Sequence, residues 1–353
     1  MILRTPPPYA GGEMIGQQLE RCFAGTYSLL VFRRPGHARA AQGRLSFANL
    51  GFGLRFVLQS SLRLLRTRPR VLYLDVPKDS RSFLRNSAIL IVALALRVRV
   101  VGDLAGADFQ FLQRGSTIGV YGRWLLRRLA VIRVLGEPIA ATLRAHGLDN
   151  AVIVSNGIDE PPGAAVERTL GREPSFLYVG KLAEAKGVLT LLEFVRELAA
   201  SGNPGRLDLV GEWENPAFEA KALALIATDG LDDRVRVHGL LVGDAKWQMF
   251  RSADVLLHPT HWDGQPVTVL EALAFGLPVV ATRVGAIPDT IRSGVDGYLM
   301  ADRGAAEIAA GVRAITCDPD VYAAFSAHAR RSFLDRFTSA RFEQAMSALL
   351  EGH

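Results

Sequence analysis

Short apolar runs of three to six residues alternate along this chain with longer segments whose apolar residues recur every three or four positions. The first kind reads as buried strand and the second as amphipathic helix. In the first half, strands are predicted over 1–4, 27–32, 71–74, 97–102, 131–135 and 151–154, with helices between them and one long loop over 33–43. The pattern resumes with strands over 176–179, 207–210, 234–238, 255–257 and 278–281, and several helices follow from Ala305. Strand–helix alternation of this kind gives a parallel sheet covered on both faces. Ligands of such sheets sit at the carboxyl ends of the strands.

A chain of 353 residues is about twice a typical domain. Asn156-Gly157 is a turn signal, and Pro161, Pro162 and Gly163 mark a linker, so a domain boundary is expected near residue 160. Cys22 and Cys317 lie far apart and belong to no CxxC or Cys/His cluster, which points to a reducing compartment without a structural zinc site. The longest apolar run, 88–96, is too short to span a bilayer, and no secretory pattern opens the sequence. It reads as a buried helix.

The stretch 258–289, HPTHWDGQPVTVLEALAFGLPVVATRVGAIPD, concentrates candidate chemistry. Asp263 and Glu271 are separated by seven residues, and Gly264, Gln265 and Pro266 open a helix that Gly276 closes. Unpaired N–H groups and the dipole at such a helix start suit a phosphate. Glu271, further along, can accept hydrogen bonds from a ribose. A capped core helix followed by a core strand would give the same local pattern. Upstream, Gly180-Lys181 and Lys186-Gly187 follow a strand, so two cations and bare N–H groups lie at one strand-to-helix turn, where a diphosphate is the natural ligand. Near the start, Pro6, Pro7 and Pro8 exclude helix, while Gly11 and Gly12 allow backbone to approach a ligand before a helix over about 13–22. Asp103 and Asp108 lie in the segment that follows the fourth strand, where turn or cap chemistry is the competing reading. His238, at a strand end, reads as structural.

The Gly-Lys…Lys-Gly element, the Asp263/Glu271 spacing, EALAFGLPVVAT and the VGAIPD loop together resemble glycosyltransferase family 4. The resemblance covers almost the whole chain and is strongest over 176–300. It implies the GT-B fold: two Rossmann-like, doubly wound α/β domains with parallel sheets facing across a cleft. The first domain, 1–160, would bind acceptor, and the second, 161–335, the donor nucleotide. Residues 336–353 would form a helix that crosses back to the first domain. The implied activity is retaining, metal-independent transfer from a nucleotide-diphosphate sugar, with no cofactor, to an acceptor that is a lipid-linked or cell-surface glycan precursor of polysaccharide biosynthesis.

The same resemblance gives Lys181 and Lys186 the diphosphate, as a leaving group, and Asp263 the sugar hydroxyls. Gly11, Gly12, Gly180, Gly264, Gln265, Pro266 and Glu271 complete the donor site, and Asp103 and Asp108 stand on the acceptor side. The chain departs from the family twice. Asp263 stands where Glu is usual, a side chain about 1.5 Å shorter, and Ala105 stands where many relatives have His. Those departures keep open a catalytically degenerate nucleotide-sugar-binding subunit. A nucleotide-sugar epimerase fits less well, since it would need acid/base carboxylates and histidines at recognisable positions.

Charge adds a partner. Residues 1–150 carry 22 Lys and Arg against 8 Asp and Glu, a net of +14, whereas the rest carries 19 against 27, a net of −8. The basic half suits an anionic membrane surface or a phosphorylated substrate. Its arginines form no recognisable nucleic-acid module, so nucleic acid is not expected. The segment 54–70 combines an apolar stripe with Arg55, Arg63, Arg66, Arg68 and Arg70, as an interfacial helix does, and equally as a core helix with a solvated basic face. A cytoplasmic, peripherally membrane-attached protein is the resulting expectation.

Overall fold

The computed structural model of the protein describes residues 1–5, 11–33, 47–106, 109–112 and 115–352. The chain divides into two compact units, Met1–Gly157 with Ser339–His353, and Ile158–Thr338.

In the first unit, β1 (Ile2–Thr5), α1 (Gly11–Phe23), β2 (Leu30–Arg33), α2 (Phe47–Thr67), β3 (Val71–Asp75) and α3 (Ser80–Ala95) follow in order. Then come β4 (Arg99–Asp103), α4 (Thr117–Leu126), β5 (Val131–Val134), α5 (Glu137–Ala145) and β6 (Ala151–Ile153). All strand pairs are parallel, in the order β2-β1-β3-β4-β5-β6. The steps β2 to β3, β3 to β4 and β4 to β5 run in one direction across the sheet, so right-handed crossovers place α2, α3 and α4 on a single face. The 88–96 run forms the end of α3 and its C-cap, Leu96, and it is only partly buried, since Ile91 faces outward; no helix among the described residues is long and apolar enough to cross a membrane.

The interior of this sheet contains a charge. Arg133 on β5 is fully buried, and its guanidinium donates to Asp103 Oδ2 at 2.9 Å, Asn156 Oδ1 at 2.7 Å and Val154 O at 3.0 Å. Tyr73 also donates to Asp103 Oδ2. Burial works against the guanidinium's charge, and Asp103 with Tyr73 more than restores it. The unit is completed by α13 (Ser339–Glu351), whose Leu349 carbonyl accepts from Arg99 at 3.2 Å and whose Phe342 ring lies 5.2 Å from the Arg133 guanidinium.

The second unit runs β7 (Ser175–Val179), α6 (Val188–Ala200), β8 (Arg206–Val210), α7 (Pro216–Thr228), β9 (Val235–Gly239), α8 (Gly243–Ser252) and β10 (Val255–His258). It continues with α9 (Val267–Ala274), β11 (Val279–Thr282), α10 (Ile287–Thr290), β12 (Gly297–Met300), α11 (Ala305–Thr316) and α12 (Pro319–Arg336). The sheet is parallel, ordered β12-β11-β10-β7-β8-β9. Alternate residues along its strands feed two cores. Phe176, Tyr178, Leu207, Leu209, Val255 and Leu257 pack under α6, α7 and α11, while Leu177, Val210, Leu256, Val279 and Ala281 pack under α8, α9 and α12. Strand order reverses between β7 and β10, which makes the gap beyond their carboxyl ends the place where a doubly wound sheet takes a ligand.

Candidate functional site

Three loops are locked together at that switch point. After β7 the chain makes a single 3-10 turn, Glu184–Lys186, and enters α6 through Gly187. Gly187 has φ +79°, and a Cβ there would lie 2.3 Å from the Pro259 carbonyl oxygen, so the position requires glycine. His261 N donates to the Ala185 carbonyl at 3.0 Å, tying the loop after β10 to this turn. From the other side, Ala286 N donates to Gly264 O at 2.7 Å, and a Cβ on Gly285 would lie 2.0 Å from Asp263 O. The Gly-Lys…Lys-Gly element, the Asp263 loop and the VGAIPD loop are thus one backbone assembly.

Lys186 points into it. Its Nζ donates to Asp263 Oδ2 at 2.7 Å and to Trp262 O at 3.2 Å, and stands 4.9 Å from the centre of the Trp262 ring. An ammonium has three N–H donors, so one is left for a ligand oxygen. Asp263 Oδ1 accepts from Gly264 N at 2.9 Å, and His258 Nε2 lies 3.7 Å from Oδ2. Burial acts to raise the Asp263 carboxyl, and His258 and Lys186 together outweigh it, holding the group well below the usual carboxylate range. Asp263 is therefore an anion fixed against a cation.

Glu271 lies one turn into α9, whose N-terminus has no side-chain cap, and is buried. Its Oε1 accepts from Lys246 Nζ on α8 at 2.6 Å, while its Oε2 is buried with no hydrogen-bond partner. Burial pushes this carboxyl up, and Lys246 opposes the shift. An unmet carboxylate oxygen of this kind is costly unless a hydroxyl fills it.

The other expected site residues lie around this assembly and in the first unit. Lys181 is exposed and pairs with Glu214 at 3.4 Å, so the two lysines are tied to different carboxylates. Gln265 is buried and donates to Thr290 at 2.9 Å, pinning α10 beneath the loop. Pro266 is the residue preceding α9, and Gly180 follows β7. In the first unit, Gly11 and Gly12 begin α1, and the backbone at Gly12 has open space on its side-chain side. Asp103 ends β4 inside the Arg133 network, its charge committed to that buried guanidinium. Asp108 lies outside the described residues. His238 pairs with Asp208 at 2.6 Å, in keeping with a structural part. Lys246, His258 and Trp262 carry no sequence motif of their own. A buried Glu271 requires a cation, and that requirement is the one signal that could have led to Lys246.

Residues 173–318 match the family described as glycosyl transferases group 1, so the second unit carries a glycosyltransferase domain of that group. With two doubly wound sheets, the fold is of the GT-B type. The chain is 33% identical over 211 residues to 2-deoxystreptamine glucosyltransferase of Streptomyces kanamyceticus, covering 56% of this chain and 54% of that protein. It is 30% identical over 185 residues to the lipopolysaccharide core biosynthesis mannosyltransferase LpsB of Rhizobium meliloti, covering 49% and 51%. Anabaena Alr3699/HepE, solved with UDP and glucose, superposes with a TM-score of 0.76 at 17% identity, over 100% of this chain and 99% of that one. The chain spans about half the length of the curated relatives it matches.

Proposed function

We propose that the protein is a retaining glycosyltransferase that binds a nucleotide-diphosphate sugar at the β7/β10 switch point of its second unit. The observation that carries this reading is the Lys186–Asp263 pair, one cation and one anion held side by side by interlocked loops. Lys186, the N-terminus of α9 and the exposed Lys181 supply positive charge to a diphosphate, and they keep supplying it as the leaving group gathers charge in the transition state. Asp263 accepts from sugar hydroxyls, and Glu271 Oε2 accepts from the ribose. The C1–oxygen bond to the diphosphate breaks as the acceptor oxygen bonds C1 on the same face, and the acceptor proton passes to the departing phosphate oxygen. No group in this scheme calls for a bound metal or cofactor.

The HepE structures hold UDP and UDP-glucose, which supports a uridine nucleotide as the first donor to test. LpsB is named for lipopolysaccharide core biosynthesis, which supports a glycan precursor as acceptor, lipid-linked or at the cell surface. A lipid-linked acceptor would be met at the cytoplasmic face of a membrane.

Calorimetry with UDP and GDP tests the donor site. Lys186→Ala should weaken binding of the preferred nucleotide by roughly tenfold to a hundredfold, the loss of one charge-assisted hydrogen bond at about 1.5–3 kcal/mol. Unchanged affinity would remove Lys186 from the site. Slow release of nucleoside diphosphate from the cognate sugar nucleotide supports transfer. Tight binding without release, in every acceptor mixture, would mark a binding subunit instead.

A further inference from the structure

Of the four helices that the same crossovers place on one face of the first sheet, α2 to α5, the first three turn apolar side chains outward. On α2, Leu54, Leu58, Leu62 and Leu65 recur at spacings of four, four and three, which puts them on one stripe, and Leu54 is 68% exposed. The inner side of the same helix buries Phe56, Ser60 and Leu64. On α3 the outward stripe includes Leu84 and Ile91, and on α4 it includes Val120 and Trp124, 60% and 46% exposed. Because α2, α3 and α4 share one face of the sheet, these stripes lie side by side.

Charge is the second observation. The sequences of α2, α3 and α4 contain six arginines and no Asp or Glu. Arg55, Arg66 and Arg81 are among the exposed ones. The nearest acid before α3, Asp79, is turned onto that helix's N-terminus and accepts from Ser82 N at 2.8 Å.

We infer that this face seats the protein on an anionic lipid surface, with the leucines and Trp124 in the headgroup region and the arginines on lipid phosphates. An apolar stripe flanked by cations, on helices that do not span the bilayer, is the physical description of an interfacial helix. A second copy of the chain fits poorly, because a twofold contact through α2, α3 and α4 would bring arginine against arginine with no carboxylate on those helices to meet either, and Glu137 on the neighbouring α5 is already paired with Arg144. The inference stands apart from the donor site, which lies in the other unit.

The test is co-sedimentation of the full chain with vesicles of phosphatidylcholine alone, or of equal parts phosphatidylcholine and phosphatidylglycerol, at low and high salt. The protein should pellet with the anionic vesicles at low salt, and far less with neutral vesicles or at ~1 M salt, where the Debye length is about 3 Å. Changing Arg55, Arg66 and Arg81 together to Gln should lower the partition on the order of a hundredfold. Leu58→Ser with Trp124→Ser, both at exposed positions, should lower it about tenfold or more with the melting temperature unchanged. Protein that stays in the supernatant with anionic vesicles overturns the inference, as does equal pelleting of folded variants. A dimer in solution that the Leu58→Ser change makes monomeric would also overturn it. UDP and GDP melting shifts on the same samples report the donor site separately.

Discussion

Replacing Lys246 by Met isolates the most exposed assumption in the donor site, that Glu271 is a buried carboxylate kept charged by one lysine. The pair is 2.6 Å apart, and the side chains are 5% and 19% exposed for Glu271 and Lys246. Removing one partner of a buried pair costs about 3–5 kcal/mol, and the partly exposed lysine argues for the lower end, about 3 kcal/mol. A domain of this size loses roughly 2–4 °C of melting temperature per kcal/mol, so the expected drop near pH 8 is roughly 6–12 °C. Its pH dependence carries the sharper test. Glu271 already has a raised folded-state pKa, and without Lys246 it rises further. A folded state that holds a proton more tightly than the unfolded chain is favoured below the unfolded value of about 4.3 and loses that advantage as pH rises through the folded value. The deficit of Lys246→Met should therefore grow as pH rises and be larger at pH 8 than at pH 5. Adding Glu271→Leu to Lys246→Met should recover most of the loss, since a buried pair exchanged for apolar side chains is often neutral. Thermal melts of the wild type, both single variants and the double variant across that pH range give the cycle. A deficit that is flat from pH 5 to 8 would refute the buried, singly paired carboxylate.

Two further substitutions address the neighbouring loop. Asp263→Glu should keep or raise turnover, whereas Asp263→Asn should lower it by roughly tenfold to a hundredfold, as expected from losing a charge-assisted hydrogen bond; full activity of the Asn variant with the cognate donor contradicts the role given to the charge. Gly285→Ala forces a side chain into a position with φ +56° and against the Asp263 carbonyl, so it should both destabilise, by about 1–3 kcal/mol, and weaken nucleotide binding. An unchanged melt and an unchanged nucleotide affinity would show that the VGAIPD loop does not hold the Asp263 loop.

The parallel strands were legible because burial on both faces leaves unbroken apolar runs, as at 176–179 and 207–210. β12 is not legible in this way because its four residues, Gly297–Met300, open on a glycine. The Lys186–Asp263 contact was legible only as two motifs, 77 residues apart, and the sheet topology is what makes them neighbours. Gln265 shows the opposite limit: its place beside Asp263 suggests a ligand, and no local pattern announces that its amide also donates to Thr290. Asp103 was readable as a strand-end acid, but its partner Arg133 lies 30 residues on, and no local pattern announces a fully buried guanidinium.

The placement of α13 has a consequence for how the protein is made. The first unit takes its last helix from residues synthesised about 180 positions after Gly157. At ~5–20 residues per second, the nascent β1–β6 sheet waits roughly 10 to 40 s on the ribosome before α13 emerges. During that interval the Arg133 guanidinium lacks the Phe342 ring that lies 5.2 Å from it in the folded unit, and a chain truncated at Thr338 would never gain that ring.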